Sequence, residues 1–250
     1  MVFVTDFGLG DGYAAELHAA AGSASPGVRC IDGSHLVPPG EVLTAAYLCK
    51  RMARAFGPRN VVCVVVDPGV GGERMAVAVE CDGVLGVAPD TGLLSYLWME
   101  SHQRRAVRVV ASPAASPTFH GRDVFAPLAA RLAAGMPIAE CGEAVPTPTL
   151  RGDLIPVLTD DGAATRVVAI DHFGNCVTGL RREDAGGREV AGLRWASGST
   201  TLAVRTYEQI PGDLAVLWNS GGHLELAARG RSAAELAGLH VGEAVEARLA

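Results

Sequence analysis

Apolar and polar positions in the first half of the chain alternate between the spacing of strands and the spacing of helices. Valine-rich runs such as residues 61–66 are typical of buried strands, whereas residues 41–56 carry apolar side chains at helical spacing. The predicted strands are residues 1–4, 61–66, 75–79, 84–88 and 107–111, and the predicted helices are residues 13–22, 41–56, 93–100 and 124–134. This alternation predicts an α/β domain with a largely parallel sheet.

The pattern changes at about residue 146. Residues 147–156 are rich in turn formers and are predicted to be a linker. Beyond them, short strands are predicted at residues 165–170, 176–180, 201–204, 214–218, 223–228 and 244–249, with one short helix at 232–237. We therefore expect an α/β domain over residues 1–146, a linker over 147–156 and a smaller all-β, barrel-like domain over 157–250.

Composition narrows the class of protein. Of 250 residues, 49% are apolar and 19% are charged. This composition is sufficient for a hydrophobic core and argues against disorder. The net charge of −6 and the scattered basic residues argue against nucleic-acid binding. A membrane span would need about 18 uncharged apolar residues in a row, which the chain does not contain. The first residues, MVFVTDFG, do not resemble a signal peptide, so we expect a cytoplasmic protein. The six cysteines form no C-x-x-C pair, which favours reduced, structural thiols.

Glycine-bearing polar loops follow several of the predicted strands. TDFGLGDGY carries Asp6 and Asp11, VDPGVGGER carries Asp67 and Arg74, and TFHGRD carries His120. DHFGN and WNSGGHLELA are similar turns in the second half. Ligands of parallel α/β sheets bind beyond the carboxyl ends of the strands. These loops therefore predict a small-molecule site.

Several of the polar residues also have purely structural interpretations. Asp6 suits an Asx-turn and Asp123 suits a helix N-cap. His18 is expected to be a packed or surface histidine, and His35 to help set a turn. Because no H-x-x-x-H pair is present, we expect no metal site.

Motifs for nucleotide phosphates and for a serine nucleophile are absent. GLGDG is followed by Tyr13 where G-x-G-x-x-G needs its last glycine, and neither G-K-[ST] nor G-x-S-x-G occurs. A ligand that carries adenosine without phosphates fits this absence.

Six motifs in order resemble those of one enzyme family. They are TDFGLGDGY, VDPGVGGER, APDTGLLS, TFHGRDVFAP, IDHFGNCVTGL and NSGGHLELA, and they span nearly the whole chain. The family is that of the S-adenosyl-L-methionine (SAM) hydrolases, also called SAM hydroxide adenosyltransferases, which are related to SAM-dependent fluorinating and chlorinating enzymes. The resemblance implies that water or hydroxide attacks the 5′ carbon of SAM, forming adenosine and L-methionine, with SAM as the substrate and no cofactor.

The resemblance also implies roles for individual residues. The family's catalytic Asp, Arg and His match Asp67, Arg74 and His120. The implied substrate contacts are Asp6 with the ribose hydroxyls, Asp11 and Asp171 with the methionine ammonium, Phe119 and Phe173 with adenine or ribose, Asn175 with adenine or the amino acid, Ser220 with methionine, and backbone groups from Glu225 to Ala227 with adenine. In the family the second-half residues come from a neighbouring subunit, which implies an obligate homotrimer with sites at subunit interfaces.

The catalytic assignment is chemically reasonable. The leaving group departs from a sulfonium as a neutral thioether and needs no general acid, so the difficulty lies in the nucleophile. A fixed Arg74 can stabilise hydroxide character, while His120 and Asp67 orient water or accept its proton. The sequence leaves open which of them takes the proton. A structural salt bridge between Asp67 and Arg74 is the alternative, and it could coexist with catalysis.

Two other functions stay open at this point. Gly121 lies where the halogenating relatives hold their anion, so halide transfer to SAM is one alternative. A non-catalytic sensor of SAM or adenosine is the other, although no output domain is evident. Gly221 stands where family members often have an aromatic residue, and Thr91 stands where asparagine is more usual, with unknown effect.

Overall fold

A computed structural model describes residues 1–212 and 214–250 of the chain, which divides into two units, Met1–Arg151 and Gly152–Ala250. The strands of the first unit are β1 (Val2–Thr5), β2 (Ile31–Ser34), β3 (Val61–Val65), β4 (Ala76–Cys81), β5 (Val84–Pro89), β6 (Arg104–Val109) and β7 (Gly142–Val145). Its α-helices are α1 (Tyr13–Ala24), α2 (Val42–Phe56), α3 (Ser95–Met99) and α4 (Ala126–Ala133).

The sheet of the first unit is mixed, so the prediction of a largely parallel sheet is wrong. The strand order is β2-β1-β3-β5-β4-β6-β7. β1 pairs with β2 and β3 in parallel, as does β3 with β5, whereas β4 is antiparallel to β5 and β6, and β6 is antiparallel to β7. Only Asp82 and Gly83, both at positive φ (48° and 82°), separate β4 from β5. A two-residue turn of this kind makes a hairpin, because a parallel crossover needs a dozen or more residues.

Both faces of this sheet are buried against helices. Phe3, Val61 and Cys63 belong to the cluster that includes residues of α1 and α4, whereas Val62 and Val64 belong to the cluster that includes residues of α2 and α3. Every residue of β3 is buried, which explains why this strand is an unbroken apolar run.

The second unit is an antiparallel, nearly closed sheet, as the barrel-like prediction expected. Its strands are β8 (Val157–Thr159), β9 (Gly162–Ile170), β10 (Cys176–Arg181), β11 (Val190–Trp195), β12 (Gly198–Thr200), β13 (Ala215–Trp218), β14 (His223–Ala227) and β15 (Ala244–Leu249), and its α-helix is α5 (Ala233–Ala237). The order is β12-β11-β15-β9-β10-β14-β13, with β8 on β9. The strand predicted at residues 201–204 is reduced to a bridge between Ala203 and Val216, which brings the segment after β12 to β13 at the opposite end of the order.

The cysteines and the apolar segments bear on two expectations drawn from composition. All six cysteines are free thiols, and burial raises the pKa of Cys49 to about 12, so this thiol is kept protonated. Within the part of the chain that the structure describes, no helix has the length and apolar character needed to cross a bilayer.

Candidate active site

The loop that follows β3 is folded by its glycines. The backbone N–H of Val70 donates to the carbonyl of Asp67, and that of Gly72 donates to the carbonyl of Gly69. Gly71 has a φ of 78°, and a Cβ there would lie 2.4 Å from the carbonyl oxygen of Pro117. Only glycine allows both this backbone conformation and this approach. The bend therefore brings VDPGVGGER against the segment that leads to His120.

Asp67, Arg74 and His120 form one hydrogen-bonded trio. Nε of Arg74 donates to Oδ1 of Asp67 at 2.9 Å, and Nη2 donates to Oδ2. Nη2 of Arg74 also lies 2.8 Å from Nδ1 of His120. The side chains of Arg74 and Asp67 are only 12% and 5% exposed, so water screens this ion pair weakly. The three catalytic residues predicted from the family motifs are thus in direct contact.

The contact with Arg74 decides the tautomer of His120. A guanidinium can only donate hydrogen bonds, so Nδ1 of His120 must accept, and the proton of the neutral ring lies on Nε2. Burial and then the cation of Arg74 lower the pKa of His120, although Asp67 and Asp123 oppose the shift. His120 is therefore neutral at physiological pH.

A π-helical turn over Gly121–Phe125 links His120 to α4. A Cβ at Gly121 would lie 2.8 Å from Cζ of Phe7, so a larger residue would push the loop and that ring apart.

Asp123 does not cap α4, contrary to the structural interpretation from sequence. Its carboxylate accepts from the backbone N–H of Ser116 and from Arg122, and it closes the loop that carries His120.

A cavity of about 350 Å³ opens beside the trio. Its lining residues are Asp6, Phe7, Pro39, Gly40, Val65, Asp67, Pro68, Val70, Thr118, Phe119, His120 and Gly121. Oδ2 of Asp6 accepts a hydrogen bond from the backbone N–H of Gly40 at 2.9 Å, which leaves Oδ1 for another partner. Asp6 and Phe119, predicted as substrate contacts, therefore share one cavity with Asp67 and His120.

An aromatic group beside this cavity was missed from sequence. Phe119 makes edge contacts with Phe7 and Tyr13, at ring-centroid distances of 5.6 and 5.2 Å. Phe7 directly follows Asp6, and Tyr13 ends the motif TDFGLGDGY, so the motif itself is the available sequence signal. Asp11, the other predicted contact in that loop, is exposed and does not line the cavity.

In the second unit, Asp171 organises the turn that presents Phe173 and Asn175. Oδ1 of Asp171 accepts from the backbone N–H groups of Phe173 and Asn175, and Oδ2 accepts from the side chain of Asn175 at 3.0 Å. Asn175 is buried, whereas Phe173 is 75% exposed. A Cβ at Gly174 would lie 2.3 Å from Oγ of Ser232, so this turn packs closely on the start of α5.

The other predicted residues of the second unit lie on β14 and just before it. Ser220 is exposed. Glu225 is buried, accepts a hydrogen bond from the hydroxyl of Tyr207, and is in register with both Val177 and Leu217. Ala227 is in register with Ala215 at the end of the strand.

The trio is not arranged as a metal centre. Among the described residues, neither Asp67 nor His120 belongs to a group of three histidine, cysteine or carboxylate ligands. Both face Arg74, a cation that competes with any metal ion for the same electron pairs.

Comparison with known proteins identifies matching family domains in both halves of the chain. The SAM hydroxide adenosyltransferase N-terminal domain matches residues 1–142, and the C-terminal domain of the same family matches residues 165–246. The proteins named (R)-S-adenosyl-L-methionine hydrolase from Salinispora tropica and Thermus thermophilus are each 38% identical over 96% of this chain, and the matches cover 94% and 96% of those proteins.

More distant relatives also match this chain over nearly its whole length. A protein named fluorinase from an Actinoplanes species is 28% identical over 95% of this chain and 92% of its own length. The crystal structure of a conserved protein from Thermotoga maritima covers 99% of this chain and matches over 100% of its own, with a TM-score of 0.89 at 28% identity. The resemblance of the six motifs is confirmed over both units. The chain belongs to the SAM hydroxide adenosyltransferase family.

Proposed function

We propose that this protein hydrolyses S-adenosyl-L-methionine to adenosine and L-methionine. The observation that carries the proposal is the hydrogen-bonded trio of Asp67, Arg74 and His120, of which Asp67 and His120 line a cavity. Two relatives at 38% identity are named for this hydrolysis, whereas the fluorinase relative is at 28%. Hydrolysis is therefore favoured over halide transfer.

Arg74 activates the attacking water. Its Nε and Nη2 are held by Asp67 and His120, and none of the described residues accepts a hydrogen bond from Nη1. A water molecule that accepts from Nη1 lies beside a poorly screened cation, which stabilises the hydroxide character that develops during attack. The bond from that oxygen to the 5′ carbon forms as the carbon–sulfur bond breaks, and methionine leaves as a neutral thioether.

Asp67 is the group that we assign to accept the proton of this water. Nδ1 of His120 is occupied by Arg74, and its Nε2 carries a proton, so the neutral ring acts as a hydrogen-bond donor and not as a base. The carboxylate of Asp67 accepts one hydrogen bond from Arg74 on each oxygen and keeps further lone pairs. His120 then orients the water or the substrate.

The remaining contacts follow the roles implied by the family. Oδ1 of Asp6 is suited to the ribose hydroxyls, and Phe119 to an apolar face of the nucleoside. Asp171 orients Asn175, and its negative charge is suited to the methionine ammonium. Asp11, Ser220 and the backbone of Glu225 to Ala227 complete the proposed set.

We also propose a homotrimer in which the second-unit residues serve a neighbouring copy's site. The ring of Phe173 is 75% exposed within one chain, which suits a side chain that is covered on assembly. A sedimentation mass of three chains supports this arrangement, and a monomer that turns over SAM contradicts it.

The reaction can be tested with labelled water. In H₂¹⁸O, adenosine is expected to carry one ¹⁸O at the 5′ position, measured by mass spectrometry, because the nucleophile comes from solvent. The same assay with chloride or fluoride is the control for halide transfer. A 5′-halo nucleoside, or SAM that is bound and never consumed, would contradict hydrolysis and would support the halogenase or the sensor respectively.

The pH dependence of kcat/KM is expected to reflect the neutral form of His120. Because burial and Arg74 lower the pKa of His120, the neutral ring persists as pH falls and is lost only below the ordinary value of about 6.5. The acid limb of the profile should therefore have its midpoint below about pH 6.5. His120→Gln is the matched variant, since its amide can accept from Arg74 but does not titrate, and its profile should lack this limb. A wild-type midpoint above pH 6.5, or the same limb in His120→Gln, contradicts the assignment.

A further inference from the structure

Three potential metal ligands that do not line the candidate active-site cavity meet in the first unit. They are His18 on α1, Asp32 on β2 and His35 just after β2. Nε2 of His18 lies 2.6 Å from Oδ1 of Asp32, and Nε2 of His35 lies 3.0 Å from the same oxygen. One ligand atom from each residue lies within 4.8 Å of the other two. None of the three belongs to the trio or lines its cavity.

The buried nitrogen of His35 has no hydrogen-bond partner among the described residues. The side chain of His35 is only 1% exposed, and its Nε2 is buried. Oδ1 of Asp32 lies 3.0 Å from this nitrogen, but the contact does not have the geometry of a hydrogen bond. A buried ring nitrogen without a partner is costly, and a ligand between the three side chains would remove that cost.

The other nitrogen of His35 is held in the manner of a metal-binding histidine. Nδ1 lies 2.8 Å from Oγ1 of Thr5, and that hydroxyl also accepts from the backbone N–H of Phe7. In the tautomer whose Nδ1–H donates to Thr5, the lone pair of His35 lies on Nε2, the nitrogen 3.0 Å from Oδ1 of Asp32. Metal-ligating histidines are usually oriented by such a hydrogen bond from their second nitrogen.

We propose that His18, Asp32 and His35 bind a divalent transition-metal ion, with zinc the best match to two imidazoles and one carboxylate. Ligand bonds of about 2.0–2.1 Å in a tetrahedral site place ligand atoms roughly 3.4 Å apart, so each histidine nitrogen needs to move less than about 1 Å away from Oδ1 of Asp32. His18 and Asp32 are 37% and 49% exposed, which leaves a path for the ion and a solvent-facing fourth position.

Such an ion would tie α1 to the edge strand β2. The hydrogen bond between His35 and Thr5 would link the ion indirectly to β1, and Thr5 directly precedes Asp6. The sequence prediction of no metal site considered ligands at helical spacing only, whereas these three come from a helix, a strand and a loop. The parallel pairing of β1 with β2, in which Val4 is in register with Ser34, brings them together.

Zinc titration of the full-length, untagged chain tests the proposal. After metal is removed with a chelator, Zn²⁺ is titrated against a chromophoric indicator, and Co²⁺ is added separately to record its visible absorption. We expect one Zn²⁺ per chain and a rise in Tm with Zn²⁺, because the ion binds the folded chain.

Two ligand variants and a matched control complete the test. His18→Ala and Asp32→Asn change partly exposed residues, and each is expected to weaken Zn²⁺ binding at least tenfold and to abolish the rise in Tm. His240→Ala, at an exposed histidine outside the cluster, should bind as the wild type does. Absence of saturable binding to the wild type, or equal binding by the three variants, overturns the proposal and identifies a metal-free His–Asp–His contact. Because Zn²⁺ binding is measured without SAM, the result is independent of the proposed reaction.

Discussion

Arg74→Lys is expected to reduce kcat for adenosine formation by about 100- to 1000-fold, the loss typical when a donor to a developing oxyanion is removed. Lysine keeps the positive charge beside Asp67, but it has no planar fork that could bond Asp67 and His120 together and still donate from Nη1 to water. The measurement is kcat, with the Kd for SAM determined by calorimetry. We expect Kd to change much less than kcat, since the lost interaction develops in the transition state.

The matched control for this variant is Arg105→Lys. Arg105 forms an ion pair with Glu80 and is 65% exposed, so the same substitution there should change neither kcat nor stability appreciably. If Arg74→Lys kept kcat within tenfold of the wild type, the pair of Asp67 and Arg74 would be a structural salt bridge and the proposed water activation would fail.

Asp67→Asn is expected to lower kcat by about 100- to 10,000-fold, because the amide preserves the shape of the carboxylate but cannot take a proton from water. One carbonyl oxygen remains to accept from Arg74, so the loop should keep its conformation, and circular dichroism would verify the fold. The residual rate should rise with pH, because hydroxide from solution replaces the missing base. This pH response distinguishes a proton acceptor from a residue that only positions Arg74.

Glu80→Gln is the control for Asp67→Asn, since it removes a carboxylate from a more exposed ion pair. Its activity should match that of the wild type. A pH-independent residual rate in Asp67→Asn would contradict proton acceptance by this residue, even if kcat fell.

In the first unit, the strands inside the sheet could be predicted from sequence, whereas the two edge strands could not. β3 is a continuous valine-rich run with every residue buried, and its predicted bounds differ from the observed ones by a single residue. β2 reads IDGS, has no fully buried residue, and was not predicted. Its stability comes from hydrogen bonds to β1 and not from an apolar face, so it leaves no hydrophobic pattern. β7 at the other edge of the sheet is a similar case.

The error in sheet direction has a local cause. The strands and helices of the first half alternate loosely, and such alternation predicts a series of parallel crossovers. The dipeptide Asp82-Gly83 is a hairpin signal, and it reverses the chain between β4 and β5. This local turn signal therefore decides the direction of β5 relative to β4, and the overall alternation does not.

The sequence by itself determined the buried strands and helices, the barrel-like second unit, and the family, because periodicity and the six ordered motifs are properties of the chain alone. Only the tertiary structure decided that Arg74 bonds Asp67 seven residues away and also His120, 46 residues away. It likewise decided that His18, Asp32 and His35 converge. Such contacts depend on loop conformation and strand pairing, for which spacing along the chain carries no signal. The physical reason is that side chains from separate elements become neighbours only when their backbones are packed.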